Sequence, residues 1–196
     1  MDTQTISRKI KYKYAPLVKK LIIFQFGAAV LGFMLSLSTT AIPGGAMLDL
    51  CTSLLAIAFY LYIQYTGVWD IAAKDKIAID GGRMSEDRFT GLKAALLANI
   101  PNFILAFICI AMRIVSITFT LPWADNVAAM CYGITRMWSG MYNGIFVILL
   151  PKTYDDIASV LYMFLLLAVT IPSLITCFIA YVQGLRGKRI FPEKKS

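Results

Sequence analysis

The sequence predicts an all-α, polytopic helical membrane protein, and two observations support this prediction. The 196 residues are 59% hydrophobic and 15% charged, with a mean hydropathy of +0.70, more than a soluble domain of this size needs to fill its core. The apolar runs extend from Leu21 almost to Gly184, which leaves no room for a separate soluble domain. We therefore expect residues 1–196 to form a single transmembrane domain.

The net charge of +8 is concentrated beside the apolar segments. All but three of the 19 Lys and Arg residues lie in three clusters, Arg8 to Lys20, Lys74 to Lys93 and Arg186 to Lys195. Such clusters mark the cytoplasmic ends of spans and contact anionic lipid headgroups. The distribution predicts a multi-pass protein of the cell inner (plasma) membrane with both termini cytoplasmic (N-in, C-in), and it does not indicate nucleic-acid binding.

The first two spans are predicted at about 21–38 and 47–69, with a basic cytoplasmic tail at 1–20. The first ends at the Pro43-Gly44-Gly45 turn, and the second continues as helix towards Ala73. The loop between them carries no charge and suits an external hairpin. The N-terminal stretch also resembles a secretory signal peptide, with a basic region followed by an apolar run. We expect it to be an uncleaved first helix rather than a cleaved signal.

A cytoplasmic loop is predicted at 70–93, where Gly81-Gly82 separates two helical arms. Residues 74–93 would offer a docking surface for a cytoplasmic partner such as an ATPase. Ser85 is expected to be the N-cap of the third helix, with Glu86 and Asp87 in its first turn.

The third helix is expected to run from near Glu86 to about Phe119 and to span the membrane at about 94–119. Pro101 lacks a backbone N–H and should kink this helix.

A re-entrant or interfacial helical hairpin is predicted at about 123–151. Two short helices, Asp125 to Met137 and Tyr142 to Leu150, would join around Ser139-Gly140. The alternative is a fifth span, which would place Arg136 at mid-membrane and the basic C-terminus outside.

The last span is predicted at about 157–183, followed by a basic cytoplasmic tail at 184–196. Thr153 should cap its helix, Pro172 should kink it and Gly184 should end it. The predicted architecture is therefore a four-span bundle plus the hairpin.

Polar residues follow one face of the third helix. Steps of three and four residues keep one helical face, and they connect Asn99, Asn102, Ala106, Cys109, Arg113, Ser116 and Thr120. A less regular series on the second helix includes Asp49, Tyr60 and Gln64. One interpretation is that these groups are packing and hydrogen-bonding contacts between helices. The other is that they line a small-solute site, whose candidate residues are Asn99, Asn102, Arg113, Asp49, Tyr60 and Gln64.

Arg113 is the least expected residue of this face, because a charge inside a bilayer is rarely kept without a partner or a purpose. Snorkelling of the side chain to the outer surface is the alternative. The candidate partners are carboxylates, which with Arg136 would form an outer polar cluster: Asp49, Asp125, Asp155 and Asp156.

The sequence lacks the residues and motifs that several kinds of active site and metal site require. Histidine is absent, the four cysteines form no CxxC pair, and Gly81-Gly82-Arg83 lacks the ending of a P-loop. We expect no enzymatic activity, no cofactor and no metal centre.

The function predicted from the sequence is that of a bacterial inner-membrane transport protein, or of the membrane subunit of a transporter, with a small-solute site inside the helix bundle. Arg113 would be its electrostatic anchor. The alternative is a non-transporting scaffold, accessory or immunity protein that binds another membrane protein through the small-residue face of the first helix. Either could form a homo- or hetero-oligomer.

Overall fold

The computed structural model of the chain describes residues 3–40, 42, 45–149 and 164–187. Within these ranges the regular structure is entirely helical. The seven α-helices with defined bounds are α1 (Thr3–Thr40), α2 (Ala46–Asp80), α3 (Thr90–Ala98), α4 (Ile100–Phe119), α5 (Pro122–Trp138), α6 (Asn143–Leu149) and α7 (Ile171–Leu185).

Four helical stretches of the described residues are long and apolar enough to cross a membrane. They are Ala15–Thr39, Ala46–Asp80, Ile100–Phe119 and Phe164–Leu185. At this level the predicted architecture, an all-helical protein with four candidate spans, is confirmed.

The first two helices are longer than the apolar runs within them. α1 begins at Thr3 and contains Pro16, and α2 continues to Asp80. Lys, Arg and Asp do not break helices, so the polar flanks extend the helices beyond the spans. Gly82 ends α2 with a φ of +69°, and the N–H of Arg83 donates to the carbonyl of Ala78, as in a Schellman motif.

The third helix differs from the prediction at its start. It begins at Thr90 rather than near Glu86, and Ser85 is not its cap. Asp87 takes that place, because its Oδ1 accepts the N–H of Phe89 at 3.0 Å and its carbonyl accepts the N–H of Thr90 at 3.2 Å.

Pro101 has a larger effect than a kink. The helix stops at Ala98, and α4 begins at Ile100 with the proline in its first turn. Asn99 between them has φ −91° and ψ 1°, outside the helical region. Because proline has no N–H to donate to the preceding turn, the break lies just before it.

Residues 122–149 form two short helices, as predicted. α5 ends at Trp138, a 3₁₀ turn covers Gly140–Tyr142, and α6 follows directly. The predicted joint at Ser139-Gly140 is therefore confirmed, and α5 begins three residues earlier than Asp125.

The last helix also differs from the prediction. A turn at 169–170 precedes α7, so Pro172 lies in its first turn rather than in its interior. Gly184 lies within α7, and the glycine with positive φ is Gly187, at +67°. The predicted cap Thr153 lies outside the described residues.

The chain divides into two compact units. Unit 1 comprises Met1–Phe24, Leu61–Ala98 and Pro172–Ser196, and unit 2 comprises Gln25–Tyr60 and Asn99–Ile171. Unit 1 has a core of small and aliphatic residues around the fully buried Tyr181. Unit 2 contains most of the candidate site residues.

Candidate functional site

Asn99 and Asn102 meet at the α3–α4 break in unit 2. Both are buried, and the Asn102 Nδ2 donates to Asn99 Oδ1 at 3.0 Å. The other amide atom of Asn102, Oδ1, is buried and has no hydrogen-bond partner among the described residues. The predicted pair is therefore brought together, with one acceptor left over.

Arg113 pairs with Asp125, one of its four candidate partners. The ion pair joins α4 to α5, with the arginine side chain 14% exposed and the aspartate side chain 51% exposed. The Cys109 thiol, one turn earlier on α4, donates to the carbonyl of Ala128 at 3.3 Å. Together these contacts tie α4 and α5 into an antiparallel hairpin.

Asp49 lies in the first turn of α2 and is 2% exposed. The Thr39 hydroxyl donates to its Oδ1 at 2.9 Å, and the Ser36 hydroxyl donates to its Oδ2 at 3.5 Å. Both hydroxyls come from the last turns of α1. We call Asp49, Ser36 and Thr39 the Asp49 cluster.

Residues 140–144, which we call the glycine segment, contact the backbone of α1. A Cβ added at Gly140 would lie 2.6 Å from the carbonyl oxygen of Ala29, and one added at Gly32 would lie 2.7 Å from the carbonyl carbon of Gly140. Real Cβ atoms essentially never come closer than 3.0 Å. The small-residue face of α1 is therefore covered by the chain itself at Gly32.

The same segment contacts the start of α2. A Cβ at Gly144 would overlap the carbonyl of Asp49 and lie 2.7 Å from the N atom of Leu50. The Gly144 N–H donates to Ser53 Oγ at 2.7 Å. Glycine is thus required on sterics where α6 crosses α2.

Two further polar side chains belong to this part of unit 2. Arg136 Nε donates to Asn143 Oδ1 at 3.4 Å, so Arg136 interacts with the glycine segment. Tyr142 is 4% exposed, and its hydroxyl has no partner among the described residues. Burial raises the pKa of Tyr142 to about 12, and the hydroxyl, like that of any tyrosine at neutral pH, is a protonated donor.

The remaining predicted residues divide between the two units. Tyr60 (unit 2) and Gln64 (unit 1) are both buried on α2. Asp155 and Asp156, the other members of the predicted outer cluster, lie outside the described residues.

Unit 1 holds the loop that was predicted as a docking surface. An open groove of about 130 Å³ lies beside it, with an apolar wall from Ile79, Val182 and Leu185 and charged residues Lys76, Asp80, Glu86, Arg88 and Arg186. In the same unit the Tyr181 hydroxyl donates to Asp75 at 2.6 Å, and the Tyr65 hydroxyl donates to Gln183 Oε1 at 2.6 Å.

Sequence reasoning missed the glycine segment and the hydroxyl partners of Asp49. The spacing Gly140-x3-Gly144 is a signal for close helix contact that was available in the sequence. Thr39 carried no comparable signal, because its role depends on how α1 pairs with α2. No protein-family model, no curated protein and no solved structure matches this chain.

Proposed function

We propose that this chain is an inner-membrane transport protein, or the membrane subunit of a transporter, which binds a small polar solute at Asn99 and Asn102. The observation that supports the proposal is the buried Oδ1 of Asn102, which has no hydrogen-bond partner among the described residues. A buried acceptor without a donor costs about 1–3 kcal/mol. A solute with an N–H or O–H group would recover that free energy on binding.

The break at Asn99 is compatible with such a site. Interrupted helices are where transporters of known mechanism form their solute sites, because backbone and side-chain polar groups at a break are free of the regular helical pattern. Asn99 and Pro101 mark the break here.

Arg113 remains the proposed electrostatic anchor for an anionic group on the solute. Its present partner, Asp125, has a half-exposed side chain, so an anion would exchange with a carboxylate that water can readily solvate. In the same proposal both termini are cytoplasmic, residues 122–149 form a re-entrant or interfacial hairpin, and residues 74–93 receive a cytoplasmic partner.

The experiment compares Asn102→Leu with Asn126→Leu, an exposed asparagine on α5. Purified protein is screened against small polar solutes by thermal unfolding, and any stabilising solute is then tested for uptake into proteoliposomes. We expect Asn102→Leu to lose solute-dependent stabilisation and uptake, and Asn126→Leu to keep both. Unchanged binding and uptake in Asn102→Leu would contradict the proposal.

A second candidate is a non-transporting scaffold, accessory or immunity protein. It is favoured by the backbone contacts of the glycine segment with α1 and α2, which leave no room for a solute at those points. Since the Gly32 region of α1 is covered by the chain itself, a partner would have to use a different surface.

An Arg113→Leu variant separates the two candidates. The transport proposal predicts weaker solute binding or uptake in this variant. The scaffold proposal predicts that the variant inserts and assembles normally and that neither solute binding nor uptake changes.

A further inference from the structure

Among the described residues, the Asp49 carboxylate is a buried acidic group that forms no ion pair. It lies at the start of a candidate span. The donors to it that the described residues supply are the two hydroxyls of the Asp49 cluster, and one of them, Ser36, is at the limit of bonding distance. Burying a carboxylate is costly unless a counter-charge or hydrogen bonds balance it, and two hydroxyls leave room for a counter-charge at this carboxylate.

The surroundings of this carboxylate are rich in oxygen atoms. Thr39 Oγ1 lies 2.9 Å from Asp49 Oδ1 and also 2.9 Å from the carbonyl oxygen of Ser36. A hydroxyl has one hydrogen and can donate to only one of these acceptors. While the Thr39 hydroxyl donates to Asp49, its oxygen faces the Ser36 carbonyl oxygen with no hydrogen between them, and a cation bound to both oxygen atoms would stabilise that contact.

The end of α1 adds to the negative potential at this point. Ser36 and Thr39 lie near the C-terminus of the helix, where the backbone dipole favours a cation, and the last turn of α1 carries no basic residue. The start of α2 stabilises the Asp49 carboxylate through its own dipole, but that effect is smaller than the desolvation of a buried charge.

We propose that the Asp49 cluster binds a monovalent cation of the size of Na⁺, coordinated by the Asp49 carboxylate, the Ser36 and Thr39 hydroxyls and the Ser36 carbonyl. One carboxylate balances one positive charge. Divalent Ca²⁺ sites typically combine several carboxylates, and the described residues contain no group of three or more acidic, Cys or His side chains. The cation site is argued independently of the proposed transport function. Only a role for the cation in driving solute transport would rest on that function.

The test is the thermal unfolding of the full-length protein in detergent, measured without solute in NaCl and in choline chloride at constant ionic strength. We expect Na⁺ to raise the melting temperature saturably and choline to have no such effect. Asp49→Asn should abolish the Na⁺ effect. Asp80→Asn, the same change at an exposed position at the other end of α2, should keep it.

Two milder variants keep the proposal testable if Asp49→Asn does not fold. Thr39→Val and Ser36→Ala each remove one hydroxyl ligand, and each should raise the half-saturating Na⁺ concentration by about tenfold, as expected when one polar contact to a charge is lost. Equal melting in Na⁺ and choline, or unchanged Na⁺ dependence in Asp49→Asn or in both hydroxyl variants, would overturn the site.

The outcome is distinguishable from the fate of the transport proposal. Na⁺-dependent melting without uptake of any solute leaves the cation site standing and removes its role in transport. If uptake depends on Asn102 but the melting temperature does not depend on Na⁺, the transport proposal is supported and the cation site is refuted.

Discussion

Replacing Gly144 with alanine is the most direct test of how the glycine segment contacts α2. The added Cβ would overlap the Asp49 carbonyl and lie 2.7 Å from the Leu50 nitrogen, so two main chains would have to move apart. The movement would also lengthen the 2.7 Å bond from the Gly144 N–H to Ser53.

The free-energy change of unfolding can be approximated from these contacts. Overpacking costs about 1–3 kcal/mol, and a weakened hydrogen bond adds about 1 kcal/mol. Alanine recovers about 1 kcal/mol over glycine in a helix. We expect Gly144→Ala to be destabilised by about 2 kcal/mol, which for a chain of this length corresponds to a melting temperature lower by roughly 4–8 °C.

Thermal unfolding followed by tryptophan fluorescence in detergent measures this change, and Gly133→Ala is the matched control. Gly133 lies on α5, and a Cβ there would meet nothing within 4 Å. It should therefore melt at or slightly above the wild-type temperature. If Gly144→Ala melts as high as Gly133→Ala, the backbone contact with α2 does not exist as described.

Three further changes test other contacts by the same unfolding measurement. Tyr181→Phe removes the 2.6 Å hydrogen bond to Asp75 and should lower the free energy of unfolding by about 1–2 kcal/mol. Its control, Tyr62→Phe at an exposed position, should change the stability by less than about 0.5 kcal/mol. Equal effects would argue against the Tyr181 contact. Asp125→Asn should cost about 1 kcal/mol, because the Asp125 side chain is half exposed and water screens the pair, and in an Arg113→Leu background the same change should cost much less; additive costs would exclude coupling. Gly82→Ala should cost about 1–2 kcal/mol because Gly82 has a φ of +69°, while Gly27→Ala, where a Cβ meets nothing within 4 Å, should not destabilise the protein; the opposite order would contradict the assigned end of α2.

The hydropathy of the sequence was sufficient to predict the number and approximate position of the candidate spans. It was not sufficient for the helix ends, because the charged residues before Asp80 favour helix as well as the apolar ones do. The start of α3 was missed for another reason. Ser85 and Asp87 are both good caps, and a Cβ at Gly91 would lie 2.5 Å from Cys177 O, so the packing of this helix against α7 also constrains where it lies.

The candidate site was predictable where its residues are close in sequence. Asn99 and Asn102 are three residues apart on one helical face, and Asp125 follows Arg113 after a single turn, so both pairs could be expected. The partners of Asp49 lie 10 and 13 residues earlier, on α1, and no periodicity within α2 indicates them.

The glycine segment has a consequence for the biogenesis of this protein. α5 is not among the four candidate spans and carries Asp125 in its first turn and Arg136 in its last. Charged residues oppose the insertion of a helix into a bilayer on its own. The surfaces that receive residues 140–144 are the main chains of α1 and α2, which leave the ribosome first. Docking of the segment therefore has to follow the insertion of these two helices. If α1 or α2 failed to insert, residues 140–144 would have no surface to pack against, even though their own sequence is intact.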